Sequence, residues 1–233
     1  VRDQDKWIGD SPAIRAALNL YHTVYVDKKL GTPSVNYTLD DAGVPVAAVV
    51  VNGRSPEGIE ATRATIVAAG GSATALAFDT TDIAAADAAV DRIEAELGHL
   101  DILVNNAGYG NAKTASEATS AEWDEIIDVD LNACFRLAKR VSVGMIRRGW
   151  GRIINISSIN AHIAREANAN YCAAKAGLEG MTRALAVEWG PKGVTVNAIA
   201  PGYMMTPDNM ETPLRADPQQ RDRFAERTAL KRW

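Results

Sequence analysis

Residues 153–178 read IINISSINAHIAREANANYCAAKAGL, and their reading decides the fold. The run Ile153, Ile154, Ile156 is short and apolar, which predicts a buried strand of an α/β sheet. Ser158 then falls just past the carboxyl end of that strand, where open α/β sheets place their ligands. Thirteen residues further on comes Tyr171, at the start of a stretch that reads as a helix, and Lys175 follows four residues later. The i, i+4 spacing sets both side chains on one helical face, with Cβ atoms ~5–6 Å apart.

Such a trio has a chemistry of its own. A phenol titrates near ~10 in water and is a poor acid or base at neutral pH. A neighbouring ammonium stabilises the phenolate and brings proton transfer toward the working pH. A hydroxyl close by can hold a carbonyl or alcohol oxygen beside the phenol. A Tyr and a Lys four apart also occur by chance on ordinary amphipathic helices, so the rest of the chain has to agree.

Two other segments agree. Asn105-Asn106-Ala107-Gly108 follows a strand expected at Leu100–Val104, and Pro201-Gly202 opens a PGxxxT run that ends at Thr206. With the Ser–Tyr spacing, these motifs resemble the short-chain dehydrogenase/reductase family, NAD(P)-dependent oxidoreductases on a Rossmann-type fold. The resemblance covers roughly residues 46–233. It implies an α/β fold, a Rossmann-type doubly wound parallel sheet in one domain, with an atypical N-terminus and a shortened C-terminus.

Composition fits that class. The chain has 233 residues, 47% of them hydrophobic and 23% charged, which is ordinary for one globular domain. A net charge of −4 gives no electrostatic footprint for nucleic acid or an anionic membrane. No apolar run approaches the ~20 residues of a membrane span, and no leader is read at the start. Cys134 and Cys172 have no metal or redox spacing, so no metal site is expected and both are read as reduced thiols, consistent with a cytoplasmic protein.

Taken in order, residues 1–45 are the atypical part. Their only glycines, Gly9, Gly31 and Gly43, lack the TGxxxGxG spacing with which the family cradles pyrophosphate at a helix start. From Val46 the text becomes regular, and residues 46–206 form the well-matched core. A strand at Val46–Val51 precedes Ser55-Pro56-Glu57, which reads as N-cap, first helical residue and first-turn acid. A second strand at Ala73–Phe78 is followed by a helix over Ile83–Leu97, closed by Gly98. Thr119 and Glu122 form a capping box for one long helix reaching Arg148 and stopped by Gly149. After Tyr171 the helix continues through Leu178, Met181, Leu185 and Trp189 to Gly190-Pro191, and Val194–Ala200 is a further strand. Residues 207–233 read as a substrate lid.

The resemblance assigns roles. Tyr171 moves the proton, Lys175 supports it and Ser158 holds the reacting oxygen. The family's fourth catalytic position, normally an asparagine, is Asp130; Asn132 is about 200° around the helix and cannot replace it. In the cofactor site Arg54 stands beside the place of the acid that would mark NAD, so NADP is favoured, with NAD the alternative. Asp79 and Thr80 face adenine, and Asn105, Asn106, Ala107 and Gly108 line the strand ends. Tyr171 and Lys175 contact the cofactor too, and Pro201, Gly202, Met204 and Thr206 cover nicotinamide. The expected partner is a small carbonyl or alcohol. The tail wording resembles the sugar-acid branch, which includes gluconate 5-dehydrogenase and 2-deoxygluconate 3-dehydrogenase, and Arg165 could pair with such a carboxylate. The alternatives are a 3-oxoacyl-carrier-protein reductase-like enzyme and a catalytically impaired member acting as a binding or oligomerisation partner. The resemblance also implies a homodimer or homotetramer packed through the two long helices.

Overall fold

Val49 and Val51 point to one side of their strand and Val50 to the other, and all three are buried. That alternation is the period of an extended strand, and burial on both faces means layers on both sides. The computed structural model describes residues 48–68, 71–202 and 217–228. They begin with strand β1 (Ala48–Gly53), helix α1 (Pro56–Ala68), strand β2 (Ser72–Ala77) and helix α2 (Ile83–Leu97). Strand β3 (Ile102–Asn105), helix α3 (Ser120–Ile127), a π-turn (Asp128–Asn132) and helix α4 (Ala133–Arg148) follow. Next come strand β4 (Gly151–Ile156), a 3-10 turn (Ile159–Ala161) and helix α5 (Ala169–Trp189). A second 3-10 turn (Gly190–Lys192), strand β5 (Val194–Ile199) and helix α6 (Pro218–Arg227) complete the series.

Among the described residues every ladder is parallel, with β1 on β2 in one sheet and β3-β4-β5 in line in another. Val49, Val51, Ile59, Val104 and Ile156 fill one face. Val50, Val90, Ile93, Leu103, Leu137, Met145, Ile153, Leu185 and Trp189 fill the other. Met145 and Ile153 are wholly buried, and each contributes ~1.5–3 kcal/mol relative to an exposed side chain. Helices on both faces of parallel strands make this the doubly wound architecture.

The ladder register moves several expected strand boundaries by one or two residues. β1 is described to Gly53 because Gly53 pairs with Ala77, and β3 reaches Asn105 because Asn105 pairs with Asn155. Leu100 is buried ahead of β3 as a core plug instead of opening the strand. Local signals held: Ser55 Oγ accepts the Gly58 N–H at 3.2 Å, α2 spans Ile83–Leu97, and the Thr119–Glu122 capping box is formed.

The expected single helix over 119–148 is not continuous. A π-turn over Asp128–Asn132 separates α3 from α4, inserting wider i→i+5 turns where Asp130 is fully buried. Asn132 donates from Nδ2 to Asp128 Oδ1 at 3.2 Å, away from Asp130's partners. Met204, Thr206 and the residues before 48, where the family's glycine-rich spacing is missing, lie outside the described residues. Of the expected lid, only 217–228 is described.

Candidate active site

Parallel strands deliver their carboxyl ends to one edge, and there the polar side chains gather. Asn52 Nδ2 donates to the carbonyls of Leu76 at 3.1 Å and Phe78 at 3.0 Å, tying the end of β1 to that of β2. Asn105 Nδ2 donates to Asn155 Oδ1 at 2.8 Å and to the Cys134 carbonyl at 3.2 Å. Asn155 in turn donates to Thr182 Oγ1 at 2.8 Å, so β3, β4 and α5 are joined through buried amides. The buried Asn105–Asn155–Thr182 chain of bonds rigidifies the floor of the site.

Above that floor lies a cleft of ≈ 230 Å³ whose lining includes Asn52, Gly53, Arg54, Asp79, Thr80, Ala107, Gly108 and Tyr109. Burial alone would raise the Asp79 carboxyl, but bonds from Thr81 N–H and Oγ1 and the nearby Arg54 charge hold it below its ordinary range. Arg54 is exposed at the cleft. Tyr109, which the motif reading did not single out, donates its hydroxyl to Glu125; burial and that carboxylate push the phenol up to about 12. Two buried polar atoms, Asn52 Oδ1 and Asn106 Nδ2, have no hydrogen-bond partner among the described residues. An acid, a guanidinium, small residues that admit a backbone-close ligand, and unpaired amide atoms suit the adenosine end of a dinucleotide.

The chemistry-bearing residues meet at α5. Lys175 is almost completely buried, and its ammonium has two oxygen partners. Nζ lies 2.8 Å from Asp130 Oδ1, donates to the Ile156 carbonyl at 3.0 Å and sits 5.4 Å from the Tyr171 ring centroid. Burial would lower this lysine, but the Asp130 carboxylate, with smaller help from Tyr171 and Cys134, raises it above the ordinary range. Asp130 Oδ2 also accepts the Tyr109 N–H at 3.1 Å. Gly108 is pressed onto this pair: a Cβ there would overlap Asp130 Oδ1 and come within 3.0 Å of Lys175 Nζ. Only glycine fits.

Ser158 is half-buried, with extended backbone at φ −160° and ψ 154°. It heads the 3-10 turn that packs on α5, and its Oγ accepts the Asn160 N–H at 3.2 Å, which leaves the hydroxyl hydrogen free to donate. The next residue, Ile159, donates its N–H to the Pro201 carbonyl at 2.9 Å, bringing the end of β5 against the same turn. Tyr171 is half-buried near the start of α5. Asn170 Nδ2 donates to Asn111 Oδ1 at 2.8 Å, fixing that end of the helix to the loop after β3. Tyr171, Lys175, Asp130 and Gly108 therefore form one cluster. Arg54, Asp79, Thr80 and Ala107 line the adjoining cleft, and Gly202 is exposed beyond β5.

Among the described residues, no group of three or more His, Cys, Asp or Glu could hold a metal ion, and no helix is long and apolar enough to cross a membrane.

The sequence profile of short chain dehydrogenases matches residues 38–217. Gluconate 5-dehydrogenase of Gluconobacter oxydans is 36% identical over 187 residues, 80% of this chain and 72% of that one. Acetoacetyl-CoA reductase of Cupriavidus necator is 48% identical over 118 residues, 51% of this chain and 48% of that one. The crystal structure of a gluconate 5-dehydrogenase from Burkholderia cenocepacia, in complex with NADP and tartrate, superposes with a TM-score of 0.75 at 33% identity; the match covers 82% of this chain and 74% of that one. The chain spans about half the length of the curated relatives that it matches at 48% and 49% identity.

Proposed function

Because this chain belongs to the short chain dehydrogenase family, we propose that it is an NADP(H)-dependent oxidoreductase interconverting a secondary alcohol and a ketone. The observation that carries this reading is the Lys175 ammonium, buried beside the Tyr171 ring and held from behind by Asp130 and the Ile156 carbonyl. The nicotinamide, when bound, supplies or accepts the hydride. The chain's own residues do the rest. In reduction Tyr171 gives its hydroxyl proton to the substrate oxygen, and in oxidation it takes that proton back. Lys175 favours the phenolate through charge, and the free Ser158 hydroxyl hydrogen binds the same substrate oxygen.

Arg54, Asp79, Thr80, Asn106, Ala107 and Gly108 would hold the adenosine half and the strand-end portion of the cofactor. Arg54 supports NADP over NAD, since a guanidinium pairs with the 2′-phosphate as no neutral residue can. NADP in the Burkholderia relative supports the same choice. For substrate we favour a hydroxy acid of the sugar-acid type, supported by the two gluconate enzymes and by Arg165, exposed between Ser158 and Tyr171. A 3-oxoacyl thioester is the second reading, favoured by the acetoacetyl-CoA reductase relative. Residues 207–233 would close over that substrate. Self-association through α4 and α5 is supported by exposed Phe135, Val143 and Val187, and a cytoplasmic setting by the two free thiols.

The test is fluorescence titration with NADPH and NADH, followed by NADP-linked oxidation of gluconate and NADPH-linked reduction of acetoacetyl-CoA. Binding of NADPH in preference to NADH, with turnover of gluconate, is the expected result. A chain that binds neither cofactor defeats the proposal and leaves the impaired, partner-binding alternative.

A further inference from the structure

The face of α5 that carries Tyr171 and Lys175 continues by the same spacing to Glu179, one more step of four residues. Glu179 is not solvated like an ordinary surface acid: its side chain is 13% exposed. Both carboxylate oxygens are committed. Oε1 accepts the Ser157 hydroxyl at 2.8 Å, and Oε2 lies 3.1 Å from His162 Nε2, an ion pair when that imidazole is protonated. Ser157 is buried, and its N–H is given to the Ile199 carbonyl at 2.7 Å. His162 closes the 3-10 turn that Ser158 opens.

Ser158 thus stands between two residues that are tied to a single carboxylate on the Tyr171 helix. Lys175 adds a parallel tie one turn earlier, through its bond to the Ile156 carbonyl. We propose that Glu179 is a positioning residue. It clamps the Ser157–His162 segment to α5 and so fixes the Ser158 hydroxyl against the Tyr171 phenol. Its carboxylate meets Ser157 and His162, not the Ser158 or Tyr171 hydroxyls, and acts through those two neighbours. A clamp of this kind matters because two groups must share one substrate oxygen, and displacement of one by about 1 Å is enough to cost turnover. A charged acceptor suits the task, since bonds to a carboxylate are shorter and stronger than neutral ones.

The inference rests on the proposed dehydrogenase reading, so the parent chain is assayed first for NADP-linked gluconate turnover. Its absence would remove that reading. Activity in the parent leaves only the clamp in question. Glu179→Ala is then expected to lower kcat by about tenfold, with NADPH affinity by fluorescence within about twofold of the parent. Glu179→Gln keeps an oxygen that accepts from Ser157 and is expected to restore kcat to within about threefold. Ser157→Ala should add less than about twofold once Glu179 is Ala, because the shorter Ser157 hydroxyl bond, 2.8 Å to Glu179 against 3.4 Å to the Lys175 carbonyl, is already lost. Parent-like kcat in Glu179→Ala, or equal losses in the Ala and Gln variants, would overturn the proposal. So would NADPH affinity falling in step with kcat. Should Glu179→Ala not fold, His162→Ala at a side chain 60% exposed removes one tie from outside. A fall in kcat of about twofold or more at unchanged NADPH affinity is expected there, and an unchanged kcat overturns the clamp.

Discussion

Asp130→Asn removes one charge from a fully buried site while keeping its shape, so its consequence can be worked from distances. The carboxylate lies 2.8 Å from Lys175 Nζ, which is itself 5.4 Å from the Tyr171 ring centre. The negative charge is therefore within about 8 Å of the Tyr171 ring centre, where an effective dielectric near ~20 gives roughly 2 kcal/mol. As it stands, Asp130 offsets part of the attraction that Lys175 exerts on the phenolate. Loss of that charge should move the rising limb of the oxidation pH–rate profile downward by roughly one to two pH units. Turnover at neutral pH should rise accordingly. Stability moves the other way. Lys175 is held above its ordinary range by Asp130, so the pair's stabilisation is complete at neutral pH and fades only as pH rises through the folded-state value. Breaking a buried pair costs ~3–5 kcal/mol, and Asn should lie at or below the low end because its oxygen still accepts from Nζ. The assay is a pair of pH–rate profiles with melting curves at pH 7. Superimposable profiles would refute the electrostatic reasoning, and an unchanged melting temperature would refute the pairing.

Arg54→Ala should weaken NADPH by ~1.5–3 kcal/mol, the scale of a charge-assisted bond, while NADH changes little. Equal losses in parallel titrations would show that this arginine does not read the phosphate. Gly108→Ala drives a methyl into Asp130 and toward Lys175, and should cost ~1–3 kcal/mol in urea unfolding, as overpacking does. A parent-like midpoint would mean the pair gives way easily.

What could be read from the sequence was local. The caps at Ser55 and Thr119 and the close of α2 at Gly98 use contacts within a few residues, and they are where the chain placed them. The Tyr171–Lys175 face follows from helix geometry alone. The π-turn was not legible, because DVDLN carries no residue that forbids an ordinary helix. There Asp130 Oδ2 receives the Tyr109 N–H and Leu131 lies against Gly177, so pairing distant in sequence accompanies the wider turn. Tyr109 and Glu125 escaped for the same reason, being sixteen residues apart and joined only in the fold. Glu179 was available to the i, i+4 rule that found Lys175, but nothing in the sequence reveals that Ser157 and His162 converge on it.

The central claim is that Tyr171 moves the proton, and Tyr171→Phe tests it most directly. The phenyl ring keeps the packing beside Lys175 and loses only the hydroxyl. The account predicts NADPH affinity within about twofold of the parent and a fall in turnover of at least ~10²-fold, the usual scale of general acid catalysis. Turnover close to that of the parent in this variant would contradict it.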